Sequence, residues 1–275
     1  MTSFWRDARA FAEEASARAG KRLLAEFGRS VPSVKADGTL VTDADRAANE
    51  MLLDSVRKRF PDHAALTEEG NTTAPDAEWC WIIDPLDGTT NFARGVPVWA
   101  ISLGLLHRGV PVFGHVRVPP LGESFDGVFP EESGEGGRAE ARLNGRRIET
   151  SRAEPDRHRF FTICSRSTAL LLRPFPCKIR MLGSAAHNYL LTASGAALGG
   201  VEETPKIWDL AGVWPIVKAA GGEWAHLAAP PFPLVARSDY ARRSFPSLAV
   251  ARADLLPVFL PLVRAARVSG GDPIL

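Results

Sequence analysis

Trp79 to Phe92 read "WCWIIDPLDGTTNF", and no other stretch limits the fold as tightly. "WCWII" has the length and the side chains of a buried strand, so Asp84 stands at its carboxyl end and Asp87-Gly88 lies in the turn beyond. Open α/β sheets place their ligands at that edge. Two carboxylates about 4 Å apart repel by roughly 4 kcal/mol at an effective dielectric near 20. Either one of them holds a proton or a cation sits between them.

Two helices precede this strand. Apolar residues recur at Phe4, Ala8, Phe11, Ala15, Ala19, Leu23 and Phe27, steps of three and four that predict one buried helical face stopped by Gly28. Thr42 with Asp45 three residues on forms a near capping box. Ala48, Met51, Leu52, Val56 and Phe60 are the buried stripe of the second helix, and Pro61 closes it. Strands are expected at "AALTEE", "WCWIID", "VWAISLGLL" and "VPVFGHVRV", the last two joined at His107-Arg108-Gly109 as a hairpin. Pro130 to Ala141 is read as a mobile surface turn, and Asn144-Gly145 as a tight turn between two short strands.

The second half alternates: strand at "FFTICS", helix at "SAAHNYLLTAS", strand at "GAALGGVEE", helix at "IWDLAGVWPIVKAAGG", strands at "EWAHL" and "SLAVA". This pattern predicts a mixed sheet covered by helices. Pro215 should kink the late helix or mark its first turns, and the tail from Arg252 should be a short, Pro-broken helix that frays. No repeat or long linker divides the 275 residues, so the expectation is a single catalytic domain, 1–275, with lobes of about 1–140 and 141–275.

Charge narrows the function classes. Lys plus Arg number 33 against 32 for Asp plus Glu, so no nucleic-acid surface is expected and any anionic ligand must be held locally. Cys80, Cys164 and Cys177 show neither CxxC spacing nor a nearby histidine pair, and read as buried thiols of a reducing compartment. The charged amino terminus lacks a secretory h-region and no stretch is long enough to span a membrane, so a cytoplasmic protein is expected. The six histidines are scattered and read as surface or satisfied core residues; Trp208, Trp214 and Trp224 read as core packing.

More acids bear on the Asp84/Asp87 corner. Glu68 and Glu69 end the preceding strand, and Asp209 follows Trp208 at a helix start, with Glu202 seven residues before it. Singly, Asp87-Gly88 is a plain turn and Asp209 a plain helix cap. If Glu68, Asp84, Asp87 and Asp209 converge, all-oxygen ligands without Cys or His select Mg²⁺ or Mn²⁺ over Zn²⁺. Gly88, Thr89, Thr90 and Asn91 then aim backbone N–H groups and hydroxyls at whatever the metals hold, which fits a phosphate ester.

These residues resemble a family, the Mg²⁺-dependent, lithium-sensitive inositol monophosphatases of the sugar-phosphatase superfamily. "VTDAD", "TEEG", "WIIDPLDGTTNF", "LNGRRI", "MLGSAAHNYL" and "WDLAG" occur in that family's order and near its spacing. The resemblance implies an α+β fold, a layered αβαβα sandwich, and hydrolysis of an inositol-1-phosphate-like monoester by in-line attack of an activated water. It implies that Glu68, Asp84 and the Leu86 carbonyl bind a first Mg²⁺, and that Asp84, Asp87 and Asp209 bind a second. Glu68 and Thr89 would act as a relay on the attacking water, with Asp84 beside them in the catalytic set. Asp87, Gly88 and Thr89 would hold the phosphate, while Gly183, Ser184, Ala185 and Glu202 would touch the alcohol. Lys35 and Asp37 would lie near a third, weak metal site, and Glu69 would support Glu68 from behind. A homodimer is also implied.

Asn49 stands where an acid is common after "VTDAD" and is read as a surface change; "TPKIWD" departs at the substrate rim and leaves the alcohol open. Histidinol phosphate, fructose bisphosphate and 3'-phosphoadenosine-type nucleotides are the alternative substrates, the neutral "DGTTNF" leaning away from the last. The non-enzyme alternative is a scaffold that binds transcription machinery, as some bacterial relatives do.

Overall fold

A computed structural model describes residues 2–35, 38–171 and 174–264. In chain order the elements are α1 (Ser3–Glu26), β1 (Ser33–Val34), β2 (Leu40–Val41), α2 (Asp43–Arg59), β3 (Ala64–Thr67), β4 (Trp79–Asp87), α3 (Thr89–Arg94), β5 (Ala100–His107), β6 (Val110–Val118) and β7 (Glu123–Val128). There follow β8 (Glu140–Leu143), β9 (Arg146–Arg147), β10 (Phe160–Ile163), β11 (Lys178–Arg180), α4 (Ala185–Ala193), β12 (Ala197–Glu202), α5 (Ile207–Ala211), α6 (Val213–Ala219), β13 (Glu223–His226), β14 (Ser247–Val250) and α7 (Leu256–Arg264).

β3 to β9 form one sheet in sequence order, antiparallel except for the parallel pair β3–β4. A second sheet runs β11-β10-β12-β14-β13, and β1 and β2 make a small ribbon. Along β4 the side chains alternate between two cores. Trp81 and Ile83 pack with Trp5, Phe11, Leu23, Leu52 and Val56 of α1 and α2. Ile82 faces the other way, in a core shared with Leu190 of α4, Ile207 and Trp208 of α5, and Ile216 of α6. Helices on both faces leave no solvated side, which is why "WCWII" is apolar without alternation.

The middle helical layer also covers the second sheet, whose Trp224 and Ala249 belong to the same core. The far face of that sheet, Phe161, Leu198, Val201, Leu248 and Val250, is closed by Phe259 and Val263 of α7. The layers are therefore α, β, α, β, α, the expected sandwich. Glycines let the middle layer sit close: a Cβ on Gly114 would overlap the Gly212 carbonyl oxygen, and Gly104 and Gly127 touch Ala211 and Ile216 in the same way.

Four local expectations need correction. The late helix is two, α5 and α6, broken at Gly212, with Pro215 in the first turn of α6 where its missing N–H leaves no bond unmade. α7 is not broken by proline but runs through Pro261, with Phe259 and Val263 buried under the second sheet; the residues after Arg264, on which the fraying expectation also falls, lie outside the described set. The Pro130–Ala141 segment is not all turn: it opens on a 3₁₀ turn, Pro130–Glu132, its last two residues belong to β8, and between them the Gly136 carbonyl accepts from Trp5 Nε1–H at 2.8 Å. Asn49 is buried, 5% exposed, and not on the surface. Thr42 and Asp45 do form a full capping box.

Candidate active site

β4 does not stop at Asp84. It runs on to Asp87, with its pairing to β5 irregular between the two aspartates. Pro85 has no N–H to give the ladder, and Asp84 Oδ1 instead accepts from the Leu86 N–H at 2.9 Å, folding the chain locally. Asp84 is completely buried and its Oδ2 has no hydrogen-bond partner among the described residues. Asp87 reaches across to the start of α4: its Oδ2 accepts from Ser184 Oγ at 2.5 Å and from the Ala186 N–H at 2.8 Å, its Oδ1 from the Ala185 N–H at 3.3 Å. Asp209, at the third position of α5, accepts from the Lys206 N–H at 2.7 Å.

One carboxylate oxygen from each of Asp84, Asp87 and Asp209 lies within 4.8 Å of the others. Burial raises all three carboxyl pKa values. For Asp84 the charges of Glu68, Asp87 and Asp209 push further in the same direction, and for Asp209 those of Asp87 and Glu68 do. For Asp87 the three bonds from α4 pull back. Glu68 is raised to about 7 by burial, against the opposing pull of Lys35. Lys35 Nζ bridges Glu68 at 2.6 Å and Glu69 at 2.5 Å. Asp37 lies outside the described residues.

Thr89 does not meet Glu68. Its hydroxyl lies 3.2 Å from Asp45 Oδ1 and 3.1 Å from the Leu86 carbonyl, both acceptors. Asp45 in turn is held by the Thr42 backbone N–H at 2.8 Å and the Thr42 hydroxyl at 2.5 Å, and burial raises its pKa. Sequence reasoning read Asp45 only as a capping partner. The repeated acid in "VTDAD" was the available signal, and what it lacked was the 44-residue fold-back that brings α2 to Thr89.

The remaining predicted residues sit around the same opening. Gly88, at φ +90°, backs onto the carbonyls of Gly183 and Val98, each 3.2 Å from where a Cβ would stand. Asn91, another residue whose work was not foreseen, ties the two segments by donating to the Val98 and Leu182 carbonyls, each at 2.7 Å. Glu202, raised to about 7 by burial, accepts from Asn188 Nδ2 at 2.6 Å. Glu68, Asp84, Leu86, Asp87, Gly88, Thr89, Thr90 and Asp209 all line one cavity of about 480 Å³. Gly183, Ser184, Ala185 and Glu202 are not part of that lining. Ser184 and Ala185 instead support Asp87 from behind through their hydrogen bonds.

The donor set fits a hard cation. The three clustered aspartates offer only oxygen, no histidine or cysteine joins them among the described residues, and the orphaned Asp84 Oδ2 is a buried acceptor lacking a donor.

The sequence model of the inositol monophosphatase family matches residues 5–247. The chain belongs to that family. It is a phosphate monoester hydrolase by membership. Among its relatives is an inositol-1-monophosphatase of Synechocystis, 36% identical over 77% of this chain and 76% of that one. A Nus factor SuhB of Pasteurella multocida is 33% identical over 69% of this chain and 73% of the relative. A histidinol-phosphatase of Chlorobaculum parvum is 33% identical over 76% and 82%. Among solved structures, a Thermotoga maritima IMPase superposes with a TM-score of 0.79 at 28% identity, covering 94% of this chain and 98% of that one. No helix of the described residues is long and apolar enough to cross a membrane.

Proposed function

We propose that the protein is a Mg²⁺-dependent phosphatase of polyhydroxy-alcohol phosphate monoesters, of the inositol-1-monophosphate type, acting as one catalytic unit with lobes of about 1–140 and 141–275. The observation that carries the reading is the convergence of Asp84, Asp87 and Asp209, from the end of β4 and the start of α5, on one cavity beside Gly88 and Thr89. Glu68, Asp84, Asp87, Asp209 and the Leu86 carbonyl are the proposed ligands of two Mg²⁺ ions, for which Mn²⁺ is a substitute; a third ion near Lys35 belongs to the same reading. Such ions neutralise a phosphate dianion and make a bound water acidic when they occupy the site.

The chain's own groups do the rest. Thr89, its hydroxyl proton directed to Asp45, keeps a lone pair for the proton of an attacking water, and Asp45 is the terminal acceptor. Burial raises Asp45 toward the range in which a carboxylate is a useful base. Glu68 is the second acceptor facing the same water, once Lys35 has released it. The bonds from Ser184, Ala185 and Ala186 keep Asp87 in one orientation, so that ester phosphorus and water are held in line. Glu202 is the proposed acceptor for alcohol hydroxyls, with Gly183 and Ala185 beside it.

The reading carries with it inhibition by lithium and a homodimer, from the family resemblance, weak Mg²⁺ binding, because carboxylate sites that keep several waters hold Mg²⁺ weakly, and a cytoplasmic location, from the charged amino terminus. A phosphate-release screen over inositol, sugar, histidinol and nucleotide phosphates with Mg²⁺ present tests it. Turnover that survives exhaustive chelation would overturn it. The relative named as a Nus factor supports a second reading, a transcription-machinery scaffold. Capture of transcription factors by a protein without Mg²⁺-dependent turnover would favour that instead.

A further inference from the structure

In sequence Asn91 closes the run Gly88, Thr89, Thr90, Asn91, whose donors are expected to face the ester phosphate. The fold gives it other work. Gly88, Thr89 and Thr90 line the cavity and Asn91 does not. Its side-chain amide donates instead to two main-chain carbonyls, that of Val98, two residues before β5, and that of Leu182, on the approach to α4, each at 2.7 Å. An amide nitrogen carries two hydrogens, so this donor is fully used.

Three segments therefore meet at one side chain. The Asn91 backbone is itself fixed at the end of α3, where its carbonyl accepts from the Gly95 and Val96 N–H groups. Val98 leads into β5, whose Ala100 pairs with Asp87. Leu182 leads into α4, whose first residues hold the Asp87 carboxylate. Among the described residues neither Leu182 nor Gly183 makes a backbone–backbone hydrogen bond, so the Asn91 amide supplies the bond that fixes this approach.

Gly183 is packed against the same amide. Its φ is +78°, and a Cβ there would stand 2.8 Å from Asn91 Nδ2 and 2.9 Å from Oδ1. Its carbonyl oxygen lies 3.2 Å from where a Cβ of Gly88 would stand. Gly183 thus fills the space between Asn91 and the phosphate corner, and only glycine fits there without strain. Ser184, the next residue, donates to Asp87 Oδ2 at 2.5 Å.

We propose that Asn91 is a positioning residue for the reaction. By holding Leu182 and Gly183 it sets Ser184 and the first N–H groups of α4, and through them the orientation of the Asp87 carboxylate, while touching neither substrate nor metal. Hydrogen bonds to an ionised carboxylate are strong only when donor and acceptor are aligned, so a displaced α4 start frees Asp87 to turn. The inference rests on the phosphatase reading above and adds to it the residue that fixes this ligand.

The test compares Asn91→Ala and Asn91→Asp with the wild-type protein in kcat and KM on a phosphate monoester and in the rise in melting temperature that Mg²⁺ produces. Asn91→Asp keeps the shape of the side chain and removes both donors, which covers a failure of the smaller variant to fold. Each should lower kcat about ten- to a hundredfold, the cost of a small misplacement, with little change in KM. Each should also need several-fold more Mg²⁺ for half of the melting shift. Gly183→Ala is the second arm: alone it should lower kcat as the Asn91 variants do, since its Cβ displaces the amide. Added to Asn91→Ala it should cost much less, because the space is then free and the backbone strain is common to both backgrounds.

Variants that melt lower but keep the wild-type kcat and Mg²⁺ response would overturn the proposal, since Asn91 would then only stitch loops together. So would an equal cost of Gly183→Ala in the two backgrounds. A wild-type protein that binds Mg²⁺ but turns over no phosphate ester counts against the phosphatase reading, while a Mg²⁺ shift weakened in both Asn91 variants still supports the role of Asn91.

Discussion

The Thr89 hydroxyl and the Asp45 carboxylate, 44 residues apart in the chain and on two different helices, stand 3.2 Å apart beside the aspartate corner. Asp45 also closes the capping box of α2. An amide there can still accept the Thr42 bonds but is no base. Asp45→Asn should therefore lower kcat by about 10²- to 10⁴-fold while leaving the melting temperature within a few degrees. Thr89→Ser should keep most of the activity and Thr89→Val should lose it. Steady-state kinetics beside thermal melting checks all three. An active Asp45→Asn would remove this residue from the mechanism.

Removing a carboxylate from the corner should have opposite effects on stability and turnover. Asp209→Asn keeps an oxygen for the Lys206 N–H and offers a donor to its acidic neighbours. The chelated protein should gain on the order of 1 kcal/mol, from relieved repulsion. Phosphate release should fall by about 10³-fold or more, because the ligand set is incomplete. Melting in excess chelator and activity in excess Mg²⁺ are the two measurements.

The pH dependence of the metal-free protein has a definite sign. Asp84, Asp87 and Asp209 have raised carboxyl pKa values in the folded state, and Glu68 and Glu202 are each raised to about 7. The folded chain then binds more protons than the unfolded one, so stability falls as pH rises from the unfolded carboxylate range, about 4, through neutrality. Divalent cations replace the protons. The gain in melting temperature from Mg²⁺ should grow steadily between about pH 5 and about pH 8. A gain that is flat over that range would mean that these carboxylates do not share a cation.

Gly114→Ala should be among the most damaging single changes in the protein. Its Cβ would overlap the Gly212 carbonyl, a backbone atom that cannot swing aside. A loss of about 3 kcal/mol or more, or failure to accumulate folded protein, is expected from such overpacking. Gly122→Ala meets no atom within 4 Å, though its φ of +64° still strains a side chain, and should lose less. Denaturant melts of the two variants make the comparison.

Much of this architecture was legible along the chain because it depends on near neighbours. The stripe of α1, the capping box of Thr42 and Asp45, and the two-residue turn at Arg108-Gly109 are all set within a few residues, and each forms as expected. β7, Glu123–Val128, was missed: in "ESFDGV" only Phe125 and Val128 are large and apolar, and its Asp126 is buried because Arg9 of α1 pairs with it at 2.5 Å. The break between α5 and α6 was missed for a related reason. Gly212 is tolerable inside a helix, and what makes the site special is how closely Gly114 of β6 approaches it.

By itself the sequence determined the elements whose signals are local, since helix stripes, caps and a two-sided apolar strand are written in near-neighbour spacing, and it marked the acids beside them. Only the tertiary structure decided which partners those acids keep. Ser184 braces Asp87, Lys35 holds Glu68 and Asp45 takes the Thr89 hydroxyl, each across dozens of residues. The strength and sign of a carboxylate's interactions depend on distance and burial, and neither exists until the layers have packed.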